Sequence, residues 1–324
     1  MPPEVQRRTV GLAGYDVPVV ELTGAADGPR LTVLAGVHGC EYAPMAAVRR
    51  WTRALAQRDL NGTVRAVPVL NLPSFRARTP FVVPDDGKNL NRCFPGDPAG
   101  TVTQRLAYDA FTQLIVGSDA LVDVHAGDMV EALEPFAVYD AGPSEARASE
   151  LAVGYGLGYV IRQEPGPGRP AGGMTSTAAA EIGIPAIIAE SGQCGLVEPA
   201  AVDRHVRGLD RVLALLGMAA DPAPDSAPRQ PPARLSRFLW MYSASAGWWE
   251  PVVGTGEHDH RAEAAVDRQR VAATEPQLAR AGAVHAADPA GRLRDVRRAD
   301  RDLQWGGAHP VSYTHLTLPT ICSV

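Results

Sequence analysis

The first residues able to do chemistry together are His38 and Glu41, three apart in the GVHGCE motif at 36–41. They follow directly on a short apolar run, LTVLAGV at 31–37, that reads as a buried strand. A turn leaving a strand end can project both side chains to one side, toward one metal ion. His125 closes a second apolar run, ALVDVH at 120–125. Open α/β sheets place their sites at such strand ends. Two histidines and a glutamate form the ligand set of a catalytic zinc site that keeps its fourth position open for water. Each residue also has a plain alternative: a surface histidine beside a helix-capping glutamate, or a histidine packed at a strand end. Of the remaining histidines, His205 lies in a charged helix, and His258, His260, His285, His309 and His315 lie in an atypical C-terminal stretch.

Further groups suited to acyl transfer surround these three. Arg76, Arg78 and Arg92 lie in the stretch 71–96, with Asn89 and Asn91 beside the last of them. A planar guanidinium next to an amide grips a carboxylate in bidentate fashion, and an arginine near a metal stabilises an oxyanion. Glu190 follows the apolar run IPAIIA at 184–189. A carboxylate so placed can act as general base and then as general acid to a leaving amine. A salt-bridged or capping acid is the plain alternative.

The elements that must position these groups alternate. The strand at 31–37 leads into a helix near 44–56, where Pro44 suits the first turn and Met45, Val48, Trp51 and Leu55 recur at helical spacing. A strand at 63–70 follows the Asn61-Gly62 turn. Strand, helix and strand in this order make a βαβ unit and predict a mainly parallel sheet covered by helices. A helix near 103–116, the strand at 120–125, a helix near 144–156, a Gly/Pro-rich loop at 165–173, a short helix, the strand at 184–189 and a helix near 199–217 continue the pattern.

Taken in order, GVHGCE, NLNRCFPG at 89–96, DVHAG at 123–127 and AESG at 189–192 resemble the succinylglutamate desuccinylase/aspartoacylase family, within the wider zinc carboxypeptidase-like group. The match covers about 15–220. The resemblance implies an α/β fold with a mixed, mostly parallel sheet and helices on both faces. It implies one zinc per chain held by His38, Glu41 and His125, with Glu190 as the catalytic carboxylate. Asn91 and Arg92 match the family's substrate-carboxylate clamp. Arg78 is preferred to Arg76 for polarising the carbonyl, with the choice between them left open. The implied reaction is hydrolysis of the amide of an N-acyl amino acid or similar small amide by metal-activated water. Two alternatives remain: a metallocarboxypeptidase acting on peptides, and a non-catalytic zinc- or ligand-binding protein. Cys40, between the first two ligands, is read as a packing residue. The acyl group, the amine and the oligomeric state are not encoded in the motifs.

Composition restricts the rest. Of 324 residues, 31 are Lys or Arg and 36 Asp or Glu, a net charge of -5 that offers nothing to nucleic acid or an anionic membrane. No leader-like segment or stretch of about 18 uncharged apolar residues is seen. The four cysteines, Cys40, Cys93, Cys194 and Cys322, show no paired spacing, so a disulfide framework is not expected and the cytoplasm is the expected compartment. The expected organisation is a catalytic domain at 1–220, a Pro-rich linker at 221–233 and the start of a small C-terminal β domain at 234–253. Residues 254–324 differ in character: Ala, Arg and Asp dominate, and VSYTHLTLPT resembles a translated sequencing adapter. The expectation is a shifted reading frame from about residue 254, a truncated β domain and a tail without a folded core. Re-sequencing the gene decides this point.

Overall fold

The computed structural model describes residues 1–129, 131–164, 173–220 and 231–235, with 255, 286–287 and 293–294. The chain divides into two compact units, Met1–Arg237 and Phe238–Val324. In the second, the described feature is a short antiparallel pairing of Ala286–Ala287 with Leu293–Arg294.

The first unit is built on one sheet. Its strands are β1 (Glu4–Leu12), β2 (Tyr15–Thr23), β3 (Ala26–Ala35), β4 (Asn61–Val67), β5 (Ala120–His125), β6 (Phe136–Asp140), β7 (Tyr159–Gln163), β8 (Ala186–Glu190) and β9 (Ala233–Leu235). They lie in the order β1-β2-β4-β3-β5-β8-β6-β7-β9. The centre, β4-β3-β5-β8, is parallel, as are β6 with β7 and β7 with β9. The pairs β1-β2, β2-β4 and β6-β8 are antiparallel. The sheet is therefore mixed and mostly parallel.

Helices cover both faces, because the central strands are apolar on both sides. On one face α1 (Tyr42–Leu55) packs on β3, α4 (Glu145–Tyr155) packs on β6 and β8, and α6 (Pro199–Leu215) packs on both helices, in a core that includes Leu31, Val33 and Ala35. Val48, Trp51, Leu151, Tyr155, Leu209 and Leu213 belong to the same core. Trp51 is wholly buried, and its indole N–H is satisfied by donating to Asp210 Oδ1 of α6 at 3.0 Å. On the other face α3 (Val102–Ala110), its π-helical continuation Phe111–Ile115 and α5 (Thr175–Glu181) pack through Leu106, Leu114, Ala178 and Ala179 onto Leu34, Leu121 and Ala186.

The β1-β2 hairpin was not foreseen. Its face is apolar at every second residue (Val10, Leu12, Val17, Val19), but the rest of β1, apart from the half-buried Val5, is largely polar and exposed. The turn is Ala13-Gly14, with φ of 48° and 89°, a two-residue loop with both φ positive. Alanine in the first position hides the usual hairpin signature. Ala13 N–H donates to Asp109 Oδ2 at 2.7 Å, which ties the turn to α3. β6 and β7 are five residues each and were also unforeseen.

Ala233–Leu235, expected at the edge of a separate module, pairs with β7 as the last strand of the sheet. The remainder of the expected linker, β-domain start and frame-shifted tail falls outside the described residues, apart from the few positions named above. Among the described residues no helix is long and apolar enough to cross a membrane.

Candidate metal centre and active site

The topology reverses beside β3. From β3 the chain passes through α1 to β4 on one side, while β5 pairs on the other. In doubly wound sheets the crevice at the carboxyl ends of strands at such a point is the usual ligand site. His38 and Glu41 follow β3, His125 ends β5, and Glu190 ends β8.

The turn after β3 is held by close contact with α2 (Leu72–Ala77). Asn71 caps α2 by accepting from Ser74 N–H at 3.2 Å and donates from Nδ2 to Val37 O at 3.0 Å. Gly39 N–H donates to Ser74 Oγ at 3.1 Å. A Cβ on Gly39 would stand 2.2 Å from Phe75 N, so only glycine fits between His38 and Cys40. The backbone spacing of the motif thus has a steric cause.

Ligand atoms of His38, Glu41 and His125 all lie within 4.8 Å of one another, and all three residues are buried. Glu41 sits between the imidazoles: Oε1 is 2.5 Å from His38 Nδ1, and Oε2 is 3.0 Å from His125 Nδ1. Oε2 also accepts from Ala126 N–H at 3.1 Å. Burial alone would raise the Glu41 carboxyl, but the charges of His125 and His38 outweigh it and bring it down to about 2. For His125, burial acts downward, while Asp123 and Glu41 prevail and lift it well above its ordinary value.

The outer contacts of both histidines favour the same nitrogen as ligand. His38 Nε2 lies 3.1 Å from Asn89 Oδ1, and that oxygen also accepts Asn91 N–H at 2.8 Å, so Nε2 carries the proton. His125 Nε2 lies 2.9 Å from Asp123 Oδ2. Neither ring nitrogen of His125 completes a well-directed hydrogen bond, despite the short distances to the two carboxylates. With Nε2 of each ring turned to an outer oxygen, Nδ1 of each faces Glu41 and is the nitrogen that would ligate a metal. Two imidazole nitrogens and a carboxylate around one point fit a divalent cation of borderline softness.

Glu190 stands in register beside His125 across the β5-β8 ladder. Its Oε2 is buried and has no hydrogen-bond partner. Burial pushes its carboxyl well above the usual range, and the Glu41 and Glu131 charges add to this against the opposing effect of His125. Glu131 is pushed up to about 7, by burial and by the Glu41 charge. Asp128 is wholly buried and accepts from the N–H groups of Phe81 at 2.8 Å and Met129 at 2.6 Å.

The loop residues divide. Asn91 is buried in a 3-10 turn, Leu90–Arg92, and its Oδ1 accepts Thr175 N–H at 3.1 Å. Arg92 Nη1 donates to Asn91 O at 2.8 Å. Arg78 is exposed at the C-terminal end of α2, with a left-handed φ of 54°. Its charge offsets part of the rise that burial imposes on Cys40 and Tyr42, the neighbours of Glu41. Arg76 exerts its charge on Tyr15, at the start of β2. The preference for Arg78 over Arg76 accordingly remains part of the proposal below. Cys40 is wholly buried, in keeping with a packing role.

Motif reading passed over Asp123, Thr175 and Glu131. A signal existed for Asp123: it is two residues before His125 on a strand, hence on the same face. His205 was set aside as part of a charged helix, yet it is wholly buried. Its Nδ1 lies 2.9 Å from Tyr155 Oη, and its Nε2 lies 2.8 Å from Ser191 O, directly after Glu190. Burial lowers its pKa from 6.5 to about 4. The neutral ring therefore stabilises the fold fully above pH 6.5. Between pH 6.5 and 4 the unfolded chain takes up the proton and the folded one does not, so this stability is lost as pH falls. The interval corresponds to about 3 kcal/mol. Unfolding midpoints in urea at pH 7 and pH 4.5 should differ less for His205→Gln than for the parent; an unchanged difference would contradict this assignment.

Comparison with known proteins identifies relatives of the chain and of its fold. The model of the succinylglutamate desuccinylase/aspartoacylase catalytic domain matches residues 27–216. The N-alpha-acetyl-L-2,4-diaminobutyric acid deacetylase of Halomonas elongata is 34% identical over 205 residues, covering 61% of this chain and 58% of that protein. The chain thus matches less than two thirds of that relative's length. A succinylglutamate desuccinylase/aspartoacylase structure from Rhodobacter sphaeroides has a TM-score of 0.65 at 23% identity, covering 79% of each chain. The product-bound ectoine utilization protein EutE (DoeB) from Ruegeria pomeroyi has a TM-score of 0.61 at 24% identity, covering 74% of each. With more than half of its length matched by the family model, the chain belongs to the succinylglutamate desuccinylase/aspartoacylase family.

Proposed function

We propose that this chain is a zinc-dependent deacylase that hydrolyses the amide bond of an N-acyl amino acid, with one zinc held by His38, Glu41 and His125. The observation that carries the reading is Glu190, whose buried, unpartnered carboxylate oxygen stands in register beside His125. A carboxyl group pushed upward by burial at the edge of a metal site is suited to accept and return protons.

Zinc, when bound there, supplies Lewis-acid polarisation of a carbonyl and activation of water near neutral pH. The residues of the chain do the rest. Glu190 takes a proton from the attacking water and returns it to the leaving amine. Arg78 stabilises negative charge on the carbonyl oxygen, and its position near Cys40 and Tyr42 supports this role. Asn91 and Arg92 bind the substrate carboxylate. Asn91 Oδ1 already accepts Thr175 N–H, so the amide would serve the substrate through Nδ2 as donor. Two donors on one carboxylate fix the direction of the scissile bond, so orientation selects the substrate.

Within this class, an Nα-acetylated diamino acid is the favoured substrate. The name of the Halomonas relative suggests it, and the Glu131 carboxylate near Glu41 and Glu190 suits an ammonium group. The test is a panel of N-acetyl diamino acids, other N-acyl amino acids and short peptides, with bound zinc measured. Turnover of an N-acyl amino acid at one zinc per chain supports the reading. Peptide cleavage alone would replace it with a carboxypeptidase, and no hydrolysis by zinc-loaded protein would overturn it.

A further inference from the structure

Thr175, the first residue of α5, is wholly buried and touches both halves of the site. Its backbone N–H donates to Asn91 Oδ1 at 3.1 Å. Its hydroxyl donates to Asp123 Oδ2 at 2.5 Å, and that same oxygen lies 2.9 Å from His125 Nε2. Asp123 is wholly buried, and its other oxygen, Oδ1, has no partner. The orientation of the Asp123 carboxylate therefore depends on one hydroxyl. Rotation of that carboxylate would break its 2.9 Å ionic contact with His125 Nε2, which orients the ring and so the direction of Nδ1.

We propose that Thr175 is a positioning residue that couples the metal site to the substrate clamp: its hydroxyl sets His125 through Asp123, while its N–H sets Asn91. The inference rests on His125 as a metal ligand, but not on which amide is cleaved. The two arms are chemically separable, because a side-chain substitution removes the hydroxyl and leaves the N–H. Carboxylates that orient a ligating histidine typically contribute 10- to 100-fold to metal affinity. Removing the group that holds such a carboxylate should produce an effect of this size.

The experiment compares the full chain with Thr175→Val, Thr175→Ser and Asp123→Asn. Zinc affinity is read by competition with a chromophoric chelator, and metal-free stability by thermal unfolding. Thr175→Val is expected to bind zinc about 10-fold or more weakly, with the stability lost by unpairing the buried Asp123 read separately from thermal unfolding of the metal-free protein. Its KM for a substrate carrying a carboxylate should stay within about threefold, because the Asn91 arm is intact, while kcat falls. Thr175→Ser should restore zinc affinity, since it retains the hydroxyl; a purely volumetric role would favour valine over serine. Should Thr175→Val not fold, Asp123→Asn carries the test, with the same loss of zinc affinity expected. A folded Thr175→Val, or in its place a folded Asp123→Asn, with zinc affinity within threefold of the parent overturns the proposal, as does a parent chain that binds no zinc. Zinc losses of the expected pattern in a chain without amide hydrolase activity would uphold Thr175 and reject the deacylase reading.

Discussion

Replacing Glu190 with glutamine is expected to lower kcat by about 10²- to 10⁴-fold, the range typical of a lost general acid–base group. Glutamine preserves the volume and removes the proton-transfer function, so zinc content should remain at the parent value. Stability should hold or rise. Glu190 has a buried oxygen without a partner and a carboxyl pushed upward by burial, so the native protein carries an unfavourable term that the amide relieves in part. Turnover by zinc-loaded protein, followed with the fixed substrate of the panel, reads the first effect, and the thermal midpoint reads the second. Turnover within threefold of the parent at full zinc occupancy would remove Glu190 from the reaction.

Replacing Glu41 with glutamine should affect the metal itself. The Glu41 carboxylate meets a ring nitrogen of both histidines and also holds Ala126 N–H. Its charge keeps His125 well above its ordinary pKa in the metal-free protein and would become a direct ligand charge to zinc. Loss of a direct ligand should exceed the 10- to 100-fold typical of an outer partner. Zinc measured after gel filtration should fall to a small fraction of one per chain, with turnover at background. The fold should persist, because the amide oxygen can still accept from Ala126 N–H, a bond of about 1 kcal/mol. Parent-like zinc content in Glu41→Gln would show that the metal lies elsewhere.

Much of this was legible in the chain because the signals are local. The apolar runs before His38 and ending in His125 and Glu190 marked three central strands, and helical spacing from Met45 to Leu55 marked α1. The order of these elements was enough for a mixed, mostly parallel sheet. The β1-β2 hairpin escaped because its strand is largely exposed and its turn uses Ala13. β6 and β7 escaped because five-residue strands carry little periodicity of their own, and their identity comes from pairing with β8 and with each other.

The sequence by itself determined the ligand candidates, the carboxylate at 190, the clamp residues and the strands that end at them. These depend on residue type and on spacing along one element. Tertiary structure alone decided that the atoms of His38, Glu41 and His125 converge within 4.8 Å and that Glu190 stands beside His125. It also decided that Thr175 touches both Asn91 and Asp123. These depend on strand order, on the register of β5 with β8 and on α5 packing over β5. Such contacts join residues up to 87 positions apart, His38 and His125 among them, through pairings that no local pattern encodes.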